Sequence, residues 1–152
     1  MNELGERSSG EGSVFTQLLQ SGLSDQETNI VHRGVHTFAI LNAFPYTSGH
    51  LMVLPYRQVS GLEDLDGTEA AELWANVTAA VVAVKAAYRP GGVNVGINLG
   101  RAAGGSISEH LHVHVVPRWT GDGNFMMAVA EARTLPEPLS LSAEKLRAVW
   151  PA

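Results

Sequence analysis

Three histidines, His110, His112 and His114, alternate with Leu111, Val113 and Val115 in one run from Glu109 to Trp119, and they make up half of the chain's histidines. In an extended strand, side chains at i, i+2 and i+4 share a face at intervals of roughly 6.5–7 Å, so the imidazoles form a row and the apolar residues its opposite face. Such a segment binds a core on one side and presents chemistry on the other. Incidental histidines are a poor explanation, because the alternates are wholly apolar. A zinc site is a second reading, but successive imidazoles whose bases lie ~6.5 Å apart do not readily close around one ion at ~2 Å. The third reading is nucleophilic catalysis. Neutral imidazole attacks phosphorus near pH 7 if a neighbour fixes its tautomer and another group meets the leaving oxygen. His112, flanked on both sides, is the natural attacker.

The rest of the chain has to hold this row in place. Val14–Leu19 reads as a short helix, followed by a loop from Gly22 to Asn29. Extended runs over 29–32 and 35–42 are joined by an Arg33-Gly34 turn, and a strand over 50–55 follows the Pro45-to-Gly49 punctuation. Leu73, Trp74, Val77, Val81, Val84 and Tyr88 recur at helical spacing over 68–88, with Asp66 and Glu69 as a capping pair and Arg89-Pro90-Gly91-Gly92 as the stop. Trp74 and Tyr88 are expected in the core. A strand over 93–99, a glycine-bearing loop over 100–108, the histidine strand over 109–118, a loop over 120–124, an apolar piece over 125–129 and a final helix over 142–150 complete the reading. Runs of strands, one main helix and hairpin connections give an α+β fold. The expected sheet is antiparallel with about five strands.

At 152 residues the chain has the size of one domain, and a domain of that length buries roughly 68–70% of the surface its unfolded chain exposes. Met1–Ser13 is polar and Gly/Ser-rich, which predicts a flexible leader and no signal peptide, with residues 14–152 as the domain. The net charge of −5 and the presence of only two lysines argue against a broad nucleic-acid-binding field. An anionic ligand must be held locally, with Arg101 and Arg118 as the cationic candidates. Cysteine is absent, which fits a cytoplasmic protein. The longest apolar stretch, 79–88, is interrupted by Lys85 and too short to span a membrane.

His110-Leu111-His112-Val113-His114-Val115-Val116 resembles the signature of the histidine triad (HIT) superfamily, His-φ-His-φ-His-φ-φ with φ apolar. The resemblance extends upstream through Phe38-Ala39-Ile40-Leu41-Asn42, Pro45 and Gly49-His50-Leu51-Met52-Val53-Leu54-Pro55, and so covers 31–119. It implies that His112 takes the α-phosphoryl group of a nucleotide as a nucleotidyl-histidine. His114 would meet the phosphate or leaving oxygen, His110 and His50 would orient the nucleophile, and Asn42 would hold the ribose hydroxyls. From the residues alone, capping the turn to Pro45 is the lesser alternative for Asn42. His32 and His36 match nothing in the family and are expected on the surface.

The loop from Asn98 to Ser106 should cradle phosphates, since glycines let backbone N–H groups approach oxygens and Ser106 adds a hydroxyl. Many dinucleotide-hydrolysing members carry Gln where this chain has Ser106, and the N-terminal cysteine pair of several members is missing. Asn98, Gly105, Ser106 and Trp119, with Glu109 before the triad, look like the actinobacterial diadenosine tetraphosphate phosphorylase-like branch, which makes the first four nucleotide-binding candidates. The resemblance implies a nucleotide or dinucleoside polyphosphate as substrate, inorganic phosphate as acceptor and a homodimer built on the long helix and a sheet edge. No metal would ligate the triad, although Mg²⁺ could accompany the polyphosphate. Hydrolysis of dinucleoside polyphosphates or nucleoside phosphoramidates, and a nucleotide sensor with little turnover, remain open readings.

Overall fold

The computed structural model describes residues 11–123 and 136–152. Five strands, β1 (Ile30–Arg33), β2 (Thr37–Leu41), β3 (Leu51–Pro55), β4 (Gly92–Ile97) and β5 (Val113–Arg118), form one sheet in the order β1-β2-β3-β5-β4, every pair antiparallel. The helices are α1 (Val14–Leu19), α2 (Asp25–Thr28), α3 (Gly67–Tyr88) and α4 (Leu139–Val149). The expected α+β architecture with one long helix and a short C-terminal one is therefore what forms.

The strand faces explain why both sides of the sheet are covered. Ala39, Leu41, Leu51, Val53, Val113 and Val115 pack against Leu73, Val77, Ala80 and Val84 of α3 and Leu146 of α4. Phe38, Ile40, Met52 and Leu54 point the other way and bury Phe15 of α1 with Ile30. Because β2 and β3 are buried on both faces, they read as nearly continuous apolar runs. The Asp66/Glu69 capping box starts α3 as expected. Glu72 on that helix accepts hydrogen bonds from the Val35 and His36 N–H groups at 2.9 and 2.6 Å and from the Thr37 hydroxyl at 3.0 Å. One carboxylate thus ties the β1–β2 turn to the helix.

Several expectations need correction. The regular histidine strand begins at Val113, since only from there does it ladder with β3, so Glu109–His112 is an approach segment. The loop over 22–29 contains α2, closed by a Ser24/Glu27 capping box. The final helix starts at Leu139. Trp74 is 45% exposed, whereas Tyr88 packs partly against the core. His32 stacks on Trp150 at 5.0 Å and is only half-exposed. Ser13, assigned to the leader by composition, is buried. At 22 residues and mean hydropathy 1.2, α3 meets the length of a bilayer-crossing helix, but Leu73, Val77, Ala80, Ala83 and Val84 form a face that packs on the sheet. The apolar piece over 125–129 lies outside the described residues.

Candidate active site

Leu111 and Val113 drive their side chains into the helix-covered core, which turns His112 and His114 to the other face of the sheet. There β3 places Met52 opposite His114, and β4 places Gly96, which has no side chain, opposite it. The His112 and His114 ring centroids are 4.9 Å apart, and those of His114 and His50 are 5.1 Å apart. His50 reaches the site from the end of the β2–β3 loop, where Gly49 adopts φ +84°. The Thr47 hydroxyl pins this loop to β5 by donating to the Pro117 carbonyl at 2.8 Å.

His110 departs from the expected row. Its ring is fully buried, with Nε2 at 2.8 Å from the Pro55 carbonyl and Nδ1 at 2.6 Å from the Ser13 hydroxyl. Its backbone, rather than its ring, meets the candidate nucleophile, for His112 Nδ1 lies 2.8 Å from the His110 carbonyl. Phe15 of α1 covers both rings, at 5.5 Å from His110 and 5.8 Å from His112.

These contacts assign every tautomer, because a carbonyl can only accept and a backbone N–H can only donate. His110 must carry its proton on Nε2 for Pro55, which leaves Nδ1 to accept from Ser13. His112 must carry its proton on Nδ1. The Tyr46 N–H donates to His50 Nδ1 at 3.1 Å, so His50 is protonated on Nε2 and donates to His114 Nδ1 at 2.9 Å. His114 then holds its proton on Nε2. Of the eight ring nitrogens in these residues, two have no partner among the described residues: a lone pair on His112 Nε2 and an N–H on His114 Nε2. A nucleophile stands beside a hydrogen-bond donor.

Burial keeps His50, His110 and His114 uncharged. Desolvation, reinforced by the neighbouring His114 and His112, depresses the His50 pKa to about 3. Desolvation and His112 bring His114 to about 4. His110 is lowered chiefly by burial, against the opposing effect of its bond to Pro55. At neutral pH none of these three rings is cationic, as the tautomer assignment requires. Among the described residues no three His, Cys, Asp or Glu side chains converge as a metal cage.

The remaining candidates divide. Asn42 accepts the Phe44 N–H on Oδ1 at 2.9 Å, so it caps the turn, while its Nδ2 lies 3.4 Å from His50 Nε2. As that nitrogen already donates to His114, the Asn42 amide N–H groups stay available beside the site. Asn98 and Gly105 are brought together, and a Cβ on Gly105 would stand 3.2 Å from the Asn98 Cβ. Ser106 is exposed in the loop that ends at Ile107, which packs beside the Phe15 cluster. Trp119 is not brought to the histidines of its own chain. Its ring lies 6.3 Å from Tyr88 and lines a cavity of about 350 Å³ with Glu137 and Lys145. A second cavity of about 350 Å³ lies between Tyr46, Asn94, Val116 and Arg118. No described histidine lines either one. The Arg118 guanidinium is engaged by Asp122 at 2.7 Å and Asn94 at 2.8 Å, and Arg101 is exposed. Ser13, Phe15 and the Tyr46 N–H were missed from sequence. Ser13 alone had a local signal, as an N-cap before an apolar run.

Two Mycobacterium tuberculosis proteins named AP-4-A phosphorylase are 48% identical over 143 residues, covering 94% of this chain and 72% of theirs. A Dictyostelium discoideum bis(5'-adenosyl)-triphosphatase is 33% identical over 82 residues, 54% of each chain. Among solved structures, a Zn-bound histidine triad family protein from Mycobacterium smegmatis superposes with TM-score 0.73 at 26% identity, over 91% of this chain and 93% of that one. The HIT domain profile matches residues 24–121. The sheet, the paired imidazoles and these matches agree, and the chain belongs to the HIT family.

Proposed function

We propose that this HIT-family nucleotide-binding enzyme splits diadenosine tetraphosphate by phosphorolysis to ADP and ATP, through an AMP–His112 intermediate. The observation that carries the reading is the lone pair on His112 Nε2, which has no partner among the described residues, with the ring held by the His110 carbonyl. Similarity to the AP-4-A phosphorylases over 94% of the chain supports the substrate class.

In the first step His112 Nε2 forms a bond to the α-phosphorus and the bond to the bridging oxygen breaks, releasing ATP. His112 keeps its Nδ1 proton, so the adduct is a phosphorylated imidazolium whose positive charge is met by the His110 carbonyl. An imidazolium is a good leaving group, which prepares the second step. His114 donates a hydrogen bond from Nε2 to oxygens that gain charge. As a neutral imidazole it stabilises that charge without surrendering its proton, and a polyphosphate leaving group needs none. Phosphate then attacks the adenylyl phosphorus, forming ADP and restoring His112. The Asn98–Ser106 loop would hold the phosphate oxygens, with Ser106 making room for the acceptor. Asn42 would meet the ribose through its amide. Nitrogen donors suit Mg²⁺ poorly, so the ion would arrive on the polyphosphate as part of the substrate.

The proposal includes a homodimer through the β4 edge and α3. Val95 on that edge is 44% exposed, and Trp74 and Val82 on the helix are 45% and 49% exposed, an apolar surface that a partner would cover. Sedimentation should give twice the monomer mass. The proposal also places the protein in the cytoplasm, where subcellular fractionation should recover it.

Chromatography of diadenosine tetraphosphate incubated with and without inorganic phosphate tests the reaction. ADP and ATP appearing only with phosphate is the expected result. AMP and ATP regardless of phosphate would replace phosphorolysis by hydrolysis, and no products would overturn the substrate.

A further inference from the structure

We infer that Ser13 is a positioning residue for the nucleophile, acting through His110. This rests on the proposed role of His112 and adds to it a residue 97 positions before His110 in sequence. Ser13 sits one residue before α1, is 1% exposed and places its hydroxyl 2.6 Å from His110 Nδ1. Since His110 Nε2–H is committed to Pro55, the Ser13 hydroxyl must donate, and its oxygen accepts the Thr16 N–H at 3.1 Å. The direction of the Ser13–His110 bond is therefore determined, and the Thr16 hydroxyl stands 3.2 Å from the same Ser13 oxygen. The backbone N–H of Ser13 donates in turn to Gln58 Oε1 at 2.6 Å, which fastens the start of α1 to the segment after β3.

The clasp matters because of what lies beyond it. The ring of His110 is anchored at both nitrogens, its carbonyl fixes His112 Nδ1, and the next N–H, of Leu111, donates to the Val59 carbonyl at 2.7 Å. This segment precedes the sheet ladder, so β3 and β4 do not hold it through their pairing with β5. Its place is set by His110, Leu111 and the α1 cap. A shift of the His110 carbonyl would swing His112 Nε2 away from the line of attack. Phe15, two residues on from Ser13, packs on both rings, so the same helix start also sets the wall beside the nucleophile.

Ser13→Ala removes the donor, Ser13→Thr keeps it, and Thr16→Val removes the hydroxyl's bond to Gln58 and its 3.2 Å contact with the Ser13 oxygen while leaving the Ser13 donor to His110. On diadenosine tetraphosphate, kcat of Ser13→Ala should fall about 10–100-fold with KM nearly unchanged, as expected for a nucleophile out of line. Ser13→Thr should recover most of the loss, and Thr16→Val should lower the melting temperature while keeping kcat. Histidine ¹⁵N spectra supply a readout without substrate: the wild type should show His110 protonated on Nε2 and His112 on Nδ1, and Ser13→Ala should broaden or shift both. Unperturbed imidazole spectra in Ser13→Ala, or a kcat loss no larger than that of Thr16→Val, would overturn the positioning role. Wild-type protein with the expected tautomers but no turnover would count against the proposed substrate and leave the clasp standing.

Discussion

Lowering the pH from 7 to 5 should cost the fold about 3 kcal/mol through two imidazoles that cannot easily take up a proton. The unfolded chain protonates both near pH 6.5, whereas the folded values lie at about 3 for His50 and about 4 for His114. A group whose folded pKa is depressed in this way costs nothing above pH 6.5. Below that value the unfolded state gains protons that the folded state refuses, at about 1.4 kcal/mol per pH unit. For fully buried His50 the difference between pH 7 and 5 is about 2 kcal/mol, and for the partly exposed His114 solvent screening reduces it to about 1 kcal/mol. His110 shifts in the same direction. The salt-bridged carboxylates of Glu69 and Asp122, held at about 2, start losing their contribution only below their unfolded values of 4.5 and 3.8. The window from pH 7 to 5 therefore isolates the histidines. Urea melts at pH 7, 6 and 5 measure the slope, which counts protons directly. His50→Gln should remove about 2 kcal/mol of the loss between pH 7 and 5, whatever its effect on stability at pH 7. Stability that is flat over this window, or an unchanged slope in His50→Gln, would refute the neutral, interlocked imidazoles on which the tautomer assignment depends.

Gly49→Ala should destabilise the protein by about 2–3 kcal/mol in thermal or urea melts, because a side chain is strained at that backbone angle and would press on a neighbour. That angle is φ +84°, and the new Cβ would stand 2.5 Å from Tyr88 Cε2. The variant should also lose activity, since His50 is the next residue. Glu72→Ala should cost about 1–2 kcal/mol by releasing the bonds at the β1–β2 turn, with kcat unchanged because Glu72 bonds to that turn and not to His50, His110, His112 or His114. Asn42→Ala should raise KM for diadenosine tetraphosphate about tenfold through loss of the proposed ribose contact, while a steady kcat in the same assay would show the histidines undisturbed.

The alternation of imidazoles with Leu111, Val113 and Val115 was legible because face and period are local properties of an extended chain. It was legible for the same reason that it misled about the strand start. An extended segment alternates its side chains whether or not a neighbour pairs with it, and pairing with β3 begins only at Val113. The capping box of α3 was readable at Asp66 and Glu69, and an equivalent signal at Ser24 and Glu27 marks the short helix that composition alone presented as a loop. The inward turn of His110 had no local signature, since its partners Ser13 and Pro55 lie 97 and 55 residues away. Trp74 sits on an α3 face that the sheet of its own chain leaves open, which helical spacing could not distinguish from the covered one.

The most direct test of the central claim is intact-protein and peptide mass spectrometry after alkaline quench, which preserves a P–N bond to imidazole, of enzyme mixed with diadenosine tetraphosphate in phosphate-free buffer. One adenylyl group on His112 of the wild type, absent from folded His112→Asn and discharged as ADP when phosphate is added, is the predicted result. No adduct in the wild type, or an adduct that persists in His112→Asn, would contradict the account.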